Sequence, residues 1–198
     1  NIRLIDCVGY MVKGAIGSEE AEKPRFVKTP WSDQSMPFDE AAELGTKKVI
    51  TDHSNVAVLV TTDGTFGELP RSSYVEAEEQ IVAELKKANR PFVILLSTLD
   101  KTSENAKVLS ESLSQKYSAP CVIINAKELS QDDIAETFNM LLSEMPVNSI
   151  LVKMPQWLEA LSFGHALIKE IIDEIKSSCD GLDKIGDFKL SKTLFENS

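Results

Sequence analysis

Three short polar motifs have residue types that suit chemistry, and each directly follows a short apolar run. They are Asp6-Cys7-Val8-Gly9, Ser97-Thr98-Leu99-Asp100 and Asn125-Ala126-Lys127. A carboxylate such as that of Asp6 can hold a water molecule on Mg²⁺, and the amide of Gly9 can approach a phosphate because no Cβ blocks it. The first motif therefore predicts phosphate chemistry with Asp6 as the metal tether, and an ordinary turn is the alternative.

The second and third motifs resemble the base-recognition segments of GTPases, Asn-Lys-x-Asp and Ser-Ala-Lys. Asp100 stands at the position of the Asp that binds guanine, whereas Ser97 and Thr98 replace Asn and Lys. The apolar arm of that Lys covers the base in GTPases, so its loss is expected to weaken guanine selectivity. The predicted nucleotide-binding residues are Ser97, Thr98, Asp100, Asn125, Ala126 and Lys127. The alternative for Asp100 is that it caps the following helix.

Strands and helices alternate along the chain, which predicts an α/β domain with a parallel sheet and right-handed crossovers. The predicted strands are Ile2–Ile5, Val56–Thr61, Phe92–Leu96 and Cys121–Ile124. The predicted helices are Phe38–Ile50, Tyr74–Ala88, Ser103–Tyr117 and Ser130–Met145. Ligands of such sheets bind beyond the carboxyl ends of the strands, where the three polar motifs stand.

Two regions depart from this alternation. Met11–Met36 is rich in Gly, Glu, Lys and Pro and is predicted to be a long, mobile surface excursion. Pro155–Ser177 carries a strong apolar stripe and predicts one helix, ended by Asp180-Gly181. We place a boundary near Met145–Asn148, with a partial nucleotide-binding domain at residues 1–146 and a connector with an amphipathic helix at residues 147–198.

Composition excludes several function classes. The 198 residues contain 21 Lys and Arg against 31 Asp and Glu, a formal net charge of −10 that disfavours a nucleic-acid partner. No apolar run reaches the ~20 residues of a membrane-spanning helix. Three cysteines without metal-ligand spacing suit a reducing compartment, and Cys7 is expected to be a buried thiol at a strand end. His53 and His165 are expected to be surface or packing residues and not metal ligands.

Longer motifs resemble the stage IV sporulation protein A family over at least Ile2 to Trp157. The resemblance is carried by Leu4-Ile5-Asp6-Cys7-Val8-Gly9-Tyr10, Thr29-Pro30-Trp31, Asp52-His53-Ser54 and Val60-Thr61-Thr62-Asp63-Gly64. The resemblance implies a P-loop NTPase fold of the translation-factor GTPase type that hydrolyses ATP, with its amino-terminal strands missing here. It assigns Asp6 to the Mg²⁺-linked aspartate, Gly9 to the switch glycine and Ser97–Asp100 to base recognition.

The resemblance also implies a biological setting. Members form, by nucleotide-dependent self-assembly, the basement layer of the bacterial spore coat in the mother-cell cytoplasm, at the outer forespore surface. Implied partners are further copies, a small amphipathic membrane-bound sporulation protein and other coat proteins, so any membrane contact is peripheral. ATP and Mg²⁺ are the implied cofactors. No Gly-x-x-x-x-Gly-Lys-[Ser/Thr] occurs in the sequence. We therefore expect a fragment of a longer protein that is inactive by itself.

Two other functions remain open at the level of sequence. One is a purely structural interaction module of coat assembly, in which nucleotide chemistry is lost or lies elsewhere. The other is a receiver-like signalling domain, since Thr98 and Lys127 follow successive strands. That domain needs paired acidic residues near its amino terminus to bind Mg²⁺, and the sequence does not supply them.

Overall fold

A computed structural model describes residues 2–15, 19–20, 23–162 and 164–188. The chain divides into two compact units, Asn1–Leu141 and Leu142–Ser198. The strands are β1 (Glu19–Glu20), β2 (Lys23–Pro24), β3 (Phe26–Thr29), β4 (Ser32–Pro37), β5 (Ala57–Thr62), β6 (Phe92–Ser97) and β7 (Cys121–Ile124). The helices are α1 (Phe38–Lys48), α2 (Val75–Lys87), α3 (Glu104–Tyr117), α4 (Gln131–Ser143) and α5 (Ala166–Cys179).

The centre of the first unit is a parallel sheet of β5, β6 and β7 in that order. Helix α2 connects β5 to β6 and helix α3 connects β6 to β7, so the predicted alternation of strands and helices is confirmed. β6 is the middle strand, and its residues from Phe92 to Leu96 read as a continuous apolar run because both of its faces are covered.

The two faces of the sheet pack against different helices. Leu59, Ile94 and Leu96 share one buried cluster with residues of α2 and α3. Val93, Val122 and Ile124 form a second cluster with Leu141 of α4, and Phe138 packs against it. Each fully buried aliphatic side chain of this size contributes about 1.5–3 kcal/mol. These two clusters hold the strands in place, and the strands carry the loops discussed below.

The predicted strand Ile2–Ile5 is wrong. Residues 2–9 adopt no regular structure, and the side chains of Ile2 and Leu4 are 75% and 84% exposed. An apolar run becomes a strand only where a neighbour takes its N–H and C=O groups. Within the described part of the chain, no strand pairs with this run.

The surface excursion predicted at Met11–Met36 contains paired strands, which the sequence pattern did not predict. β3 and β4 form an antiparallel hairpin in which Thr29 pairs with Ser32, leaving Pro30 and Trp31 as the turn. The Trp31 ring lies against Gly45 of α1, where an added Cβ would come within 3.4 Å of the ring. Packing against a helix stabilises a hairpin that would be marginal alone.

Helix α1 confirms the helix predicted after this excursion and continues as one π-helical turn, Val49–His53. The unpaired carbonyls at its end are satisfied by Arg90. Its Nε donates to Ile50 O at 3.1 Å, and its Nη2 donates to Thr51 O at 2.7 Å. The guanidinium thus stabilises the carboxyl end of the helix and fixes it beside the start of the sheet.

In the second unit, the single helix predicted at Pro155–Ser177 is wrong. A 3₁₀ helix at Gln156–Ala160 and the separate helix α5 occupy that stretch. The break falls before His165, whose Nδ1 accepts a hydrogen bond from Leu167 N–H at 3.2 Å and caps the new helix. α5 ends at Cys179 and Gly181 adopts φ +79°, so the predicted Asp180-Gly181 end is confirmed.

Candidate functional site: the carboxyl edge of the parallel sheet

Three loops leave the carboxyl ends of β5, β6 and β7 at the same edge of the sheet, and we call them the edge loops: residues 63–66, 98–102 and 125–130. Thr65 joins the first loop to the second. Its hydroxyl donates to Asp63 Oδ1 at 2.6 Å and accepts from Leu99 N–H at 3.0 Å. Burial acts to raise the pKa of Asp63, but hydrogen bonds from Thr65 and Thr98 outweigh it and keep this pKa below its ordinary value.

The second and third edge loops are joined by main-chain and side-chain contacts. Thr98 N–H donates to Ile124 O at 2.9 Å, extending the parallel pairing of β6 and β7 by one residue. Ser97 Oγ accepts a hydrogen bond from Ala126 N–H at 3.2 Å. Ser97 and Thr98 are both buried, so these predicted nucleotide-binding residues act here by tying the loops together.

Asp100 is exposed in the second edge loop and bonds to its own turn. Its Oδ1 accepts from Thr102 N–H at 2.9 Å and from the Thr102 hydroxyl at 2.6 Å. These hydrogen bonds hold the pKa of Asp100 below its ordinary value, so the carboxylate stays ionised near neutral pH. The alternative that Asp100 caps α3 is wrong, because the N-cap is Ser103 and the Asp100 bonds go to Thr102, before the helix begins.

The third edge loop contacts the first through an aromatic ring. Lys127 Nζ lies 5.4 Å from the centre of the Phe66 ring, within the range of a cation–π contact. Asn125 Oδ1 accepts from Lys127 N–H at 3.0 Å and gives the loop its tight bend. The structure thus brings together six predicted residues, those at 97, 98, 100, 125, 126 and 127, along one edge of the sheet.

The two remaining predicted site residues lie in the amino-terminal segment, residues 2–15. Asp6 is exposed and has no hydrogen-bond or ion-pair partner among the described residues. Gly9 has φ +80°, and its N–H donates to Thr46 Oγ1 of α1 at 3.1 Å. This is the one hydrogen bond from the segment to the rest of the described chain. Cys7 is exposed, so its predicted burial is wrong.

A buried ion pair supports the first edge loop, and sequence reasoning missed it. Glu78 of α2 is 3% exposed, and its carboxylate accepts from Arg71 Nη1 and Nη2 at 2.6 and 2.7 Å. Thr61, near the end of β5, also donates to Glu78. The available signal was Thr62-Asp63-Gly64, which directly follows the predicted strand Val56–Thr61 just as the other motifs follow theirs.

Among the described residues, no group of three or more His, Cys, Asp and Glu is arranged to hold a metal ion, and no helix is long and apolar enough to span a membrane. Of the two open alternatives for His53 and His165, surface or packing residue, the structure shows the first, because both are exposed.

A polar edge on a parallel sheet is a ligand-binding location shared by many folds, so comparison with known proteins decides the family. Residues 1–146 match the family model for the ATPase domain of stage IV sporulation protein A. The chain belongs to this family. It is 42% identical over 188 residues to stage IV sporulation protein A of Clostridioides difficile, 40% over 187 residues to that of Bacillus anthracis, and 37% over 187 residues to that of Bacillus subtilis.

The alignments with these stage IV sporulation protein A sequences cover 94–95% of this chain but 38% of each relative. The family model covers the whole first unit and all eight predicted site residues. No solved structure matches the chain.

Proposed function

We propose that this chain is part of an ATP-hydrolysing protein of sporulation, and that the edge loops hold the base of the nucleotide. The observation that carries the proposal is the contact between Ser97 Oγ and Ala126 N–H at 3.2 Å, in a chain of the ATPase-domain family. It places the loop containing Asp100 beside the loop of Asn125–Lys127. A base lying at this edge meets a carboxylate from one loop and main-chain groups from the other.

The hydrogen bonds of Asp100 favour adenine over guanine. A guanine bound in the GTPase manner presents two donors, N1–H and the 2-amino group, to one carboxylate. Asp100 Oδ1 already accepts two hydrogen bonds from Thr102, which use both of its lone pairs. The usual pairing with guanine, one donor on each oxygen, is therefore blocked, and Oδ2 remains to accept from a group such as the adenine 6-amino group. Ser97 and Thr98 are too short to cover the base as the GTPase Lys does.

The amino-terminal segment supplies groups suited to the phosphates. The exposed Asp6 carboxylate fits a water-mediated tether for Mg²⁺, which is commonly held by one or two carboxylates together with substrate phosphates. Mg²⁺ neutralises charge on the phosphate oxygens when it is bound. Gly9 fits a close approach to the terminal phosphate, because no atom outside its chain neighbours lies within 4 Å of the position where a Cβ would stand.

The name of the relatives, stage IV sporulation protein A, supports a proposal about the biological role of the full-length protein. We propose that the full-length protein is a self-assembling scaffold of the spore-coat basement layer, at the forespore surface in the mother-cell cytoplasm. Its proposed partners are further copies, a small amphipathic membrane-bound protein and other coat proteins. The net charge of −10 supports protein partners over nucleic acid.

Steady-state hydrolysis and equilibrium binding of ATP and GTP by the full-length protein test the proposal. We expect ATP to be hydrolysed faster and bound more tightly, and Asp100→Asn to weaken ATP binding about tenfold, the cost of one charged hydrogen bond. Asp132→Asn is the matched control, because Asp132 is an exposed carboxylate in the first turn of α4. Hydrolysis of GTP at least as fast as ATP contradicts the proposal.

The second candidate function is a structural module without catalysis, and β5 favours it. Val58 and Val60 are 40% and 60% exposed, and among the described residues β5 pairs with β6 alone. An open strand edge flanked by exposed valines suits pairing with another strand. A full-length protein that assembles normally but binds no ATP supports this second function and excludes the first.

A further inference from the structure

Lys101 extends from the second edge loop to the start of α4. Its Nζ lies 2.9 Å from Asp133 Oδ1 and 3.1 Å from Asp133 Oδ2, so the ammonium bridges both oxygens. The Asp133 side chain is 8% exposed and that of Lys101 is 42% exposed. The lysine directly follows Asp100, the residue proposed to meet the base.

Asp133, in the first turn of α4, is hydrogen-bonded to Ser130, the last residue of the third edge loop. Its Oδ2 accepts from Ser130 N–H at 3.0 Å, and its own N–H donates to Ser130 Oγ at 3.1 Å. This reciprocal pair is a capping box, which ties the last residue of the loop to the first turn of α4. The Lys101 ammonium and the two Ser130 contacts lower the pKa of Asp133 to about 2, so this carboxylate is ionised throughout the physiological range.

The ion pair is a second place at which the same two loops are connected. The first place is close to the sheet, where Ser97 Oγ accepts from Ala126 N–H and Thr98 N–H donates to Ile124 O. A loop attached at one point can pivot about it, whereas attachment at two points fixes its orientation. Asp100 lies between Ser97 and Lys101 in the chain, so both connections determine where its carboxylate stands relative to Ala126.

We infer that Lys101 and Asp133 are positioning residues, which hold Asp100 and the Asn125–Lys127 loop at the spacing that recognises the base of the nucleotide. The inference rests on the proposed function. Neither side chain needs to contact the nucleotide, because one has its charge paired and the other is buried. Their role is to support the groups that make the contacts.

Binding measurements on the full-length protein separate this role from general structural support. Mg²⁺-ATP and Mg²⁺-tripolyphosphate are titrated into the wild type, Lys101→Met and Lys101→Arg. We expect Lys101→Met to weaken ATP binding about tenfold, the size of one interaction between coupled groups. Tripolyphosphate, which has no base, should bind within about twofold of the wild type. Lys101→Arg should restore most of the ATP affinity, because a guanidinium can bridge both Asp133 oxygens.

Two further variants complete the test. Lys48→Met is the matched control, because Lys48 pairs with Asp52 four positions later at 3.2 Å, both side chains are exposed, and the pair joins no edge loops. Asp133→Asn keeps an acceptor for Ser130 N–H and removes the charge, so it should act like Lys101→Met. The inference is overturned if Lys101→Met and Asp133→Asn both bind ATP within twofold of the wild type. It is also overturned if these variants lose ATP affinity and tripolyphosphate affinity equally. Wild-type protein that binds ATP no more tightly than tripolyphosphate overturns the proposed base site, and this inference with it.

Discussion

The edge loops and the amino-terminal segment contain the same kind of sequence motif but differ in structure. Each predicted motif follows an apolar run of four or five residues and carries a carboxylate or an amide. The runs at β6 and β7 form strands, and the loops that follow them are joined by the side chains of Ser97 and Lys101 and by the main-chain N–H of Thr98. The run before Asp6 forms no strand, and the segment that contains it makes one hydrogen bond to the described remainder of the chain.

The difference shows that neighbours decide whether a motif becomes rigid. A strand in the middle of a sheet receives hydrogen bonds on both sides and helices on both faces, so the residues that follow it begin from a defined point. Residues 2–9 have no such neighbour within the described chain. The position of this segment therefore depends on few contacts, above all the hydrogen bond from Gly9 N–H to Thr46 Oγ1. Four substitutions test this contrast, beginning with the largest expected effect.

Arg71→Met should lower the unfolding free energy of the sheet beside the first edge loop. It leaves the Glu78 carboxylate, 3% exposed, without its guanidinium, and an unpaired buried charge of this kind costs about 3–5 kcal/mol. We expect amide hydrogen exchange of β5 and α2 in the full-length protein to report that loss of unfolding free energy. Lys107→Met, which breaks an exposed pair, should change it by less than about 0.5 kcal/mol.

Glu78→Gln added to Arg71→Met should recover part of the stability, because a neutral amide is less costly to bury than a charge. If Arg71→Met alone lowers the unfolding free energy by less than about 1 kcal/mol, the ion pair of Arg71 and Glu78 does not support the first edge loop.

Asp6→Ala should impair catalysis and leave the fold intact. Removing the proposed water-mediated tether of Mg²⁺ is expected to lower ATP hydrolysis by the full-length protein about 100-fold. Hydrogen exchange of the edge loops should not change, because Asp6 is exposed and unpaired among the described residues. Phosphate release at saturating ATP measures the effect, with Asp33→Ala, an exposed carboxylate of β4, as the control. Near-normal turnover removes Asp6 from the site.

Gly64→Ala tests how tightly the first edge loop is packed. Gly64 has φ +88°, and an added Cβ would lie 2.7 Å from Arg71 N, so both backbone strain and a clash are expected. Gly67→Ala is a close control, because Gly67 has φ +78° but no atom within 4 Å of the added Cβ. We expect about 1 kcal/mol of destabilisation for the control and 1–2 kcal/mol more for Gly64→Ala. Equal effects in urea unfolding would mean that the loop yields to the clash.

Thr46→Val tests the one hydrogen bond of the amino-terminal segment and has the smallest expected effect. Valine keeps the volume of the buried threonine but cannot accept from Gly9 N–H. The loss of one such bond, about 1 kcal/mol, should speed hydrogen exchange at Gly9 and Tyr10 about fivefold. The edge loops should exchange at their wild-type rates. Thr46→Ser, which keeps the hydroxyl, should exchange at close to the wild-type rate. An unchanged exchange rate in Thr46→Val would show that the hydrogen bond to Thr46 does not hold this segment.

Local sequence patterns determined most of the sheet and its helices. The middle strand follows from Phe92–Leu96, because an unbroken apolar run between turn residues favours a strand buried on both faces. Helix α4 follows from Ser130 and Asp133, whose side chains satisfy the first N–H groups of the helix. The edge motifs follow from their position after strands, since parallel strands bring their carboxyl ends to one edge.

Contacts between residues distant in sequence could be decided only by the tertiary structure. Lys101 meets Asp133 across 32 positions and Arg90 caps a helix 40 positions earlier, and no local pattern encodes either partner. The Ile2–Ile5 run has the same local signal as β7, yet it forms no strand. Hydrophobic periodicity records which residues gain by burial, whereas strand pairing depends on which backbone groups arrive alongside, and that is a property of the folded chain.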